Sequence, residues 1–324
     1  MIEVNHLVKR YGSNHAVDDL SFRVERGQIY GFLGPNGAGK STTMNILTGY
    51  IAPSSGEVKI NGHDILEDAE AARKCIGYLP EIPPIYPEMT VLEYLTFAAE
   101  LKRLPGKSRE ALILEAMELT GVVEVQRRLI KNLSKGFRQR VGLAQAILGF
   151  PEIIILDEPM VGLDPKQIIE VRELIKKLSE KHTVILSSHI LSEISAICDH
   201  IMIISHGKLV ASDTPERLTS LMKGSASLEL TVRCEKHGLH QLLKDTSGIT
   251  SFEILDSPEQ GAHDVLIKTE GTTDLREKLF YELASRKMAL LRMQQSHVSL
   301  EDVFLELTEN EETEGEENED GSDL

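Results

Sequence analysis

The amino-acid sequence predicts an α/β protein: a largely parallel sheet covered by helices on both faces, followed by a small α+β domain. Three observations predict it. The apolar run Gln28-Ile29-Tyr30-Gly31-Phe32-Leu33 passes through a glycine-rich turn into a helical stretch from Thr42 to Thr48, a strand–loop–helix order. From residue 153 to 211, short aliphatic runs alternate with helical periodicity. Beyond residue 224 the order becomes β-α-β-β-α-β.

Taken in order, Ile2 to Val8 and Ala16 to Val24 read as strands joined around Tyr11-Gly12, and Glu57 to Ile60 runs into an Asn61-Gly62 turn. They make an N-terminal antiparallel β part. Between about Thr90 and Phe150 the apolar spacing is helical, as in Val91, Leu95 and Ala98 and then Leu112, Ala116 and Leu119, so a helical subdomain interrupts the alternation. It resumes with a strand at Ile153–Leu156, a helix from Pro165 to Glu180, a strand at Thr183–Leu186 and a helix from Ile190 to Cys198. Strands at Ile201–Ile204 and Lys208–Ala211 flank the His206-Gly207 turn and close a domain over residues 1–223. Gly224-Ser225-Ala226-Ser227 reads as a linker. Strands at Leu228–Val232, Ser251–Leu255, Asp264–Lys268 and Ala289–Met293, with helices at Glu235–Lys244 and Thr273–Ser285, suggest a ferredoxin-like domain over 224–308. A helix from Leu300 to Leu307 would end it.

The chain of 324 residues is long enough for two domains, and its net charge of −16 argues against a nucleic-acid partner. Nine of those negative charges lie in residues 309–324, which hold no Lys or Arg, leaving −7 for the rest. That acidic tail cannot bury enough apolar surface to offset its ordering entropy and is expected to be disordered. Cys75, Cys198 and Cys234 are far apart, which suggests neither a disulfide framework nor a zinc site and fits a reducing cytosol. No signal peptide is read at the start, and no aliphatic stretch approaches the roughly 20 residues that span a bilayer. Any connection to a membrane is expected through a partner, without direct insertion.

The chemistry begins at Gly34-Pro35-Asn36-Gly37-Ala38-Gly39-Lys40-Ser41, which fits G-x-x-x-x-G-K-[ST], the loop whose backbone N–H groups turn inward around phosphates. Lys40 then stands against the β- and γ-phosphates, the Ser41 hydroxyl holds Mg²⁺, and the helix opening at Thr42 adds its dipole. An incidental glycine turn is the bland alternative, made poor by the strand before it and the helix after it. The fold class is therefore a P-loop NTPase sheet. Its second half is Ile153-Ile154-Ile155-Leu156-Asp157-Glu158, a buried strand ending in two carboxylates. Asp157 is placed to bind Mg²⁺, mostly through water, and Glu158 to polarise an attacking water, which is worth roughly 10²–10⁴ in rate. Alone, such a strand end would default to a solvated edge; the loop upstream favours catalysis.

With these motifs in this order, residues 1 to about 220 resemble the nucleotide-binding subunit of ABC transporters. The resemblance makes Tyr11 the aromatic that stacks on adenine, and Leu133-Ser134-Lys135-Gly136-Phe137-Arg138-Gln139 the signature, usually Leu-Ser-Gly-Gly-Gln. It makes Asp164 in Gly162-Leu163-Asp164-Pro165 the D-loop carboxylate and His189 the switch histidine that meets the γ-phosphate. In this family Ser134, Lys135 and Gly136 act in trans, so ATP joins two subunits head to tail. One loop and one signature per chain imply pairing, most simply with a second copy. Two departures stand out: Lys135 and Phe137 in the signature, and Glu81 in Tyr78-Leu79-Pro80-Glu81 where the family has glutamine. Glu81 has the reach to bind Mg²⁺ and adds a charge. These variants, and Ser-Leu-Glu-Asp-Val-Phe-Leu at 299–305, resemble the ABC-2 export branch, the gliding-motility and multidrug-type ATPases of bacteria and archaea. The resemblance implies an ATPase with ATP and Mg²⁺ as ligands, peripheral on the cytoplasmic face of the inner membrane, driving an ABC-2 type integral-membrane permease. A cytosolic, non-transport ATPase of translation or repair is the alternative; the chain has neither the fused second ATPase domain nor the long coiled coil of those branches. An Asn-Lys-x-Asp element of a GTPase is absent.

Overall fold

The computed structural model describes residues 1–221, 227–269 and 274–296, so residues 224–226 of the linker expected over 224–227, the helix expected over 300–307 and the acidic stretch from 309 lie outside the described residues, while position 227 already belongs to a strand. The chain divides into two compact units between Pro215 and Glu216. The first contains β1 (Ile2–Tyr11), β2 (Asn14–Val24), β3 (Ile29–Leu33), α1 (Lys40–Leu47), β4 (Ser55–Ile60), β5 (His63–Asp64), α2 (Ala69–Lys74) and β6 (Ile76–Leu79). It continues with α3 (Val91–Leu101), α4 (Gly106–Thr120), α5 (Lys135–Ile147), β7 (Ile153–Leu156), α6 (Pro165–Ser179), β8 (Thr183–Ser188), α7 (Leu191–Ser195), β9 (His200–Ser205) and β10 (Lys208–Asp213). Helix α8 (Pro215–Leu221) spans the division.

Two sheets build the first unit. One has the order β2-β1-β4-β5 and is antiparallel; the other has six strands in the order β10-β9-β3-β8-β7-β6. In the second sheet only β10 runs antiparallel to its neighbour. A parallel strand covered on both faces reads as an unbroken apolar run, and Ile153-Ile154-Ile155-Leu156 is buried at every position. Between the sheets, Phe22 and Phe32 meet edge to face at 5.2 Å among Ile2, Met44, Ile60 and Ile155. The six-stranded sheet aims the ends of β3, β7 and β8 at one edge.

The helical block resolves into three helices, of which α3 and α5 start at a side-chain cap. Thr90 and Glu93 form a capping box on α3, with Glu93 N–H donating to Thr90 Oγ1 at 3.3 Å and Thr90 N–H to Glu93 Oε2 at 2.8 Å. At the far end of α5, the Lys102 ammonium donates to the carbonyls of Gln145, Ala146 and Leu148 at 2.9, 3.1 and 3.0 Å. It satisfies terminal carbonyls that have no partner within the helix, and burial pushes its pKa down to about 8.

The structure corrects several boundaries. Helix α1 begins at Lys40, two residues before Thr42, because Gly39 in a left-handed conformation is its N-cap. Helix α7 stops at Ser195, since the Ile197 and Cys198 N–H groups both return to Ile194 O in a closing turn. Elements α2, β6 and α8 were not expected. Strand β6 has only four residues and owes its place to pairing with β7, Tyr78 opposite Ile155.

The second unit contains β11 (Ser227–Arg233), α9 (Lys236–Asp245), β12 (Ile249–Asp256), β13 (Ala262–Thr269), α10 (Arg276–Ser285) and β14 (Ala289–Ser296). Its sheet has the order β12-β13-β11-β14 with every neighbouring pair antiparallel. Leu228, Leu230 and Val232 pack with Leu242, Ile267 and Leu279 in an aliphatic core.

Candidate functional site

The loop from Gly34 to Ser41 joins β3 to α1, and two of its glycines, Gly34 and Gly39, are sterically required. A Cβ at Gly34 would come 2.3 Å from Ile204 O, and one at Gly39 would come 2.3 Å from Ala16 O. Gly39 also has φ +101°, which side-chain-bearing residues rarely adopt. Lys40 is 6% exposed and donates to Gly34 O at 2.8 Å and Pro35 O at 3.1 Å. Its ammonium also lies 3.7 Å from Glu158 Oε1. Burial pushes the Lys40 pKa down, and Glu158, Asp157 and Glu81 pull it back.

Strand β7 delivers both carboxylates to the same edge. Asp157 and Glu158 are buried, and Asp157 Oδ1 accepts the Ser41 hydroxyl at 3.2 Å. The Ser187 hydroxyl, at the end of β8, donates to that oxygen at 2.6 Å, and the Ser187 oxygen accepts the Glu158 N–H at 2.9 Å. Glu158 has φ +47°, a left-handed conformation for a non-glycine residue. His189 Nδ1 stands 3.1 and 3.0 Å from its two carboxylate oxygens. A cavity of about 360 Å³ opens here, lined by Asn36, Gly37, Thr42, Glu81, Val161 and Ala16 together with Gly39, Lys40, Ser41, Glu158 and His189. The phosphate loop, Lys40, Glu158 and His189 thus face one cavity, and Asp157 meets it through the Ser41 hydroxyl.

Sequence-predicted residues outside that cavity have other surroundings. Tyr11, at the end of β1, is 52% exposed with the Lys9 ammonium 5.2 Å from its ring centre; the hairpin reaches the cavity through Ala16. Ser134 caps α5, its Oγ accepting the Phe137 N–H at 3.3 Å, and Lys135 is exposed. Gly136 faces α6, where a Cβ would meet Gln167 Cδ at 2.8 Å. Asp164 caps α6, accepting the Gln167 N–H at 3.0 Å. None of these five residues lines the cavity beside its own phosphate loop. Sequence reasoning missed the part played by Ser187, although a serine two positions before a strand-end histidine was visible.

The ABC transporter family model matches residues 17–161. A bacitracin transport ATP-binding protein of Bacillus licheniformis is 34% identical over 309 residues, covering 95% of this chain and 97% of that protein. Nod factor export ATP-binding protein I of Rhizobium etli is 31% identical over 317 residues, covering 96% and 94%. Among solved structures, a dimeric ATP-binding cassette in a post-hydrolysis state with ADP and phosphate aligns at a TM-score of 0.60 and 25% identity, over 66% of this chain and 98% of that one. Both relatives are named for transport, which sets the cytosolic alternative aside. A phosphate loop, two strand-end carboxylates and full-length similarity to such proteins place the chain in the ABC transporter ATP-binding family, as a subunit that binds and hydrolyses ATP.

Proposed function

We propose that two copies of this chain close head to tail around ATP and drive a separate ABC-2 type permease in export. The observation that carries this reading is a cavity furnished from one side only. Lys40, Ser41, Glu81, Glu158 and His189 line it, whereas Ser134, Lys135 and Gly136 do not. A second copy would supply those three to the γ-phosphate. The dimeric cassette among the structural neighbours supports the pairing, and one relative's name, Nod factor export, supports the direction.

In this reading the loop N–H groups and Lys40 hold the phosphates, and Tyr11 stacks on adenine from the exposed end of its hairpin. Glu158 takes a proton from the attacking water, His189 contacts the γ-phosphate and holds the Glu158 carboxylate, and Asp164 belongs to the contact between copies. Ser41 and Asp157 fit Mg²⁺: two hard oxygen donors 3.2 Å apart suit an ion that keeps most of its waters. When bound, Mg²⁺ offsets phosphate charge. Glu81, exposed at the cavity rim, is the further candidate for its shell. Beside Glu81, a groove of about 620 Å³ includes Tyr50, Tyr78, Pro80 and Pro84, and Tyr50 is 79% exposed. This supports docking of a membrane-subunit partner here. Among the described residues no helix is long and apolar enough to cross a membrane. The second unit is assigned the ferredoxin-like fold from its element order and its β12-β13-β11-β14 sheet.

The test mixes a Lys40→Ala subunit with a Ser134→Arg subunit, each inactive alone. Heterodimers keep one intact composite site, so ATPase activity returns on mixing. Mixed dimers that form without any activity would sink the trans arrangement.

A further inference from the structure

Glu193 is a carboxylate that the site above does not use, although it is only 4% exposed. It lies in the first turn of α7, and its Oε2 accepts the Ser188 hydroxyl at 2.7 Å. The Ser188 oxygen in turn accepts the Ile190 N–H at 3.0 Å. His189 is the residue between them, so a buried hydrogen-bonded brace fixes the backbone on both sides of the imidazole. The two serines at the end of β8 divide the work by strand alternation. Ser187 bonds the Asp157 carboxylate and the Glu158 amide, while Ser188 bonds α7.

Packing alone does not call for this carboxylate. Its neighbours Leu191, Ile194 and Ile197 are buried and apolar, and a charged group in such company is costly unless it is bonded. An aliphatic side chain would fill the place at lower cost. We propose that Glu193 is a positioning residue for ATP hydrolysis: through Ser188 it holds His189 against Glu158. This rests on the roles given above to Glu158 and His189.

The experiment uses the full chain and measures steady-state ATPase parameters with equilibrium ATP binding for Glu193→Ala, Glu193→Gln, Ser188→Ala and the Glu193→Ala/Ser188→Ala double variant. Displacing a group that must meet the reacting atoms costs on the order of a hundredfold per ångström. Glu193→Ala and Ser188→Ala should each lower kcat about ten- to a hundredfold on that scale, while ATP affinity changes by about twofold or less. The double variant should be no slower than the slower single, because both break one brace. Glu193→Gln should recover most of the rate, since its amide oxygen still accepts from Ser188. Parental kcat in Glu193→Ala, losses that multiply in the double variant, or affinity falling in step with kcat would overturn the proposal. If Glu193→Ala does not fold, Ser188→Ala and Glu193→Gln carry the decision: a slow Ser188→Ala beside a near-parental Glu193→Gln upholds it, and any other pair overturns it. Glu158→Gln is assayed alongside; parental turnover there would overturn the reading of the site itself, independently of Glu193.

Discussion

The two units are made from the same kinds of element and treat polar side chains in opposite ways. In the first, parallel β3, β7 and β8 end at a common edge, and Lys40, Asp157, Glu158, Ser187, Ser188 and Glu193 are buried there. In the second, every neighbouring strand pair is antiparallel, so strand ends alternate between edges and none collects the chemistry. Its buried polar side chains, among the described residues, are the three uncharged threonines 231, 246 and 269. Its charges pair at the surface instead, as Arg276–Asp274 at 2.7 Å and Arg233–Glu259 at 3.4 Å do. The difference teaches where this protein accepts desolvation. A parallel sheet offers one crevice beyond its carboxyl ends for a ligand, and buried charges gather there, whereas Lys102, set apart from it, serves only to close the end of α5.

The contrast can be broken most sharply at Glu158. Glu158→Gln should keep ATP binding and lose roughly 10²–10⁴ in turnover, the usual worth of a general base; phosphate release and nucleotide binding measure the two. Parental turnover would make the buried carboxylate a bystander and erase the distinction between the units. The opposite arm is Leu242→Ala, in the aliphatic core of the second unit. It should cost about 2–5 kcal/mol of that unit's stability through the cavity it leaves, seen in denaturant unfolding, with ATPase turnover at low temperature unchanged. A tenfold drop in turnover would show that the second unit enters the catalytic cycle. Between these lies Ser187→Ala, which strips a partner from the buried Asp157 carboxylate and Glu158 amide together. About 1–3 kcal/mol of stability should go with it, and the Mg²⁺ concentration for half-maximal hydrolysis should rise; an unchanged melting curve contradicts the assignment.

The smallest effect is expected at Asp274, where the Arg276 side chain and N–H hold an exposed carboxyl down at about 2. Its folded pKa lies below the unfolded value, so its contribution is present above the ordinary carboxylate range and fades as pH falls toward 2. Asp274→Asn should therefore lower the melting temperature slightly at pH 6 and less at pH 3. A deficit that grows in acid would reverse the sign of this account.

What could be read from the sequence was what neighbouring residues decide. The phosphate loop is one octapeptide, and the Asp157-Glu158 pair ends an uninterrupted aliphatic run, so both were legible, as were the strands and helices of the second unit. Strand β6 was not: Ile76–Leu79 is too short to show a period, and β7, from a segment more than 70 residues away, completes it. Ser187 and Glu193 were missed for a related reason. The partners of Ser187 lie about 30 residues upstream, and Glu193 sits on a five-residue helix whose amphipathic pattern looked ordinary. Lys102 carries no signal in the sequence, because the three carbonyls around it come from the end of α5, more than 40 residues away.

The left-handed backbone at Glu158 sets selection for heat tolerance against selection for work. An L residue in that conformation costs roughly 1–2 kcal/mol, and asparagine tolerates it better than glutamate. A library screened only for survival at high temperature should thus enrich Glu158→Asn wherever relief of the backbone outweighs loss of the Lys40–Glu158 contact. The survivors would make durable ATP binders that no longer turn over, so any campaign to harden this protein must score catalysis in the same round.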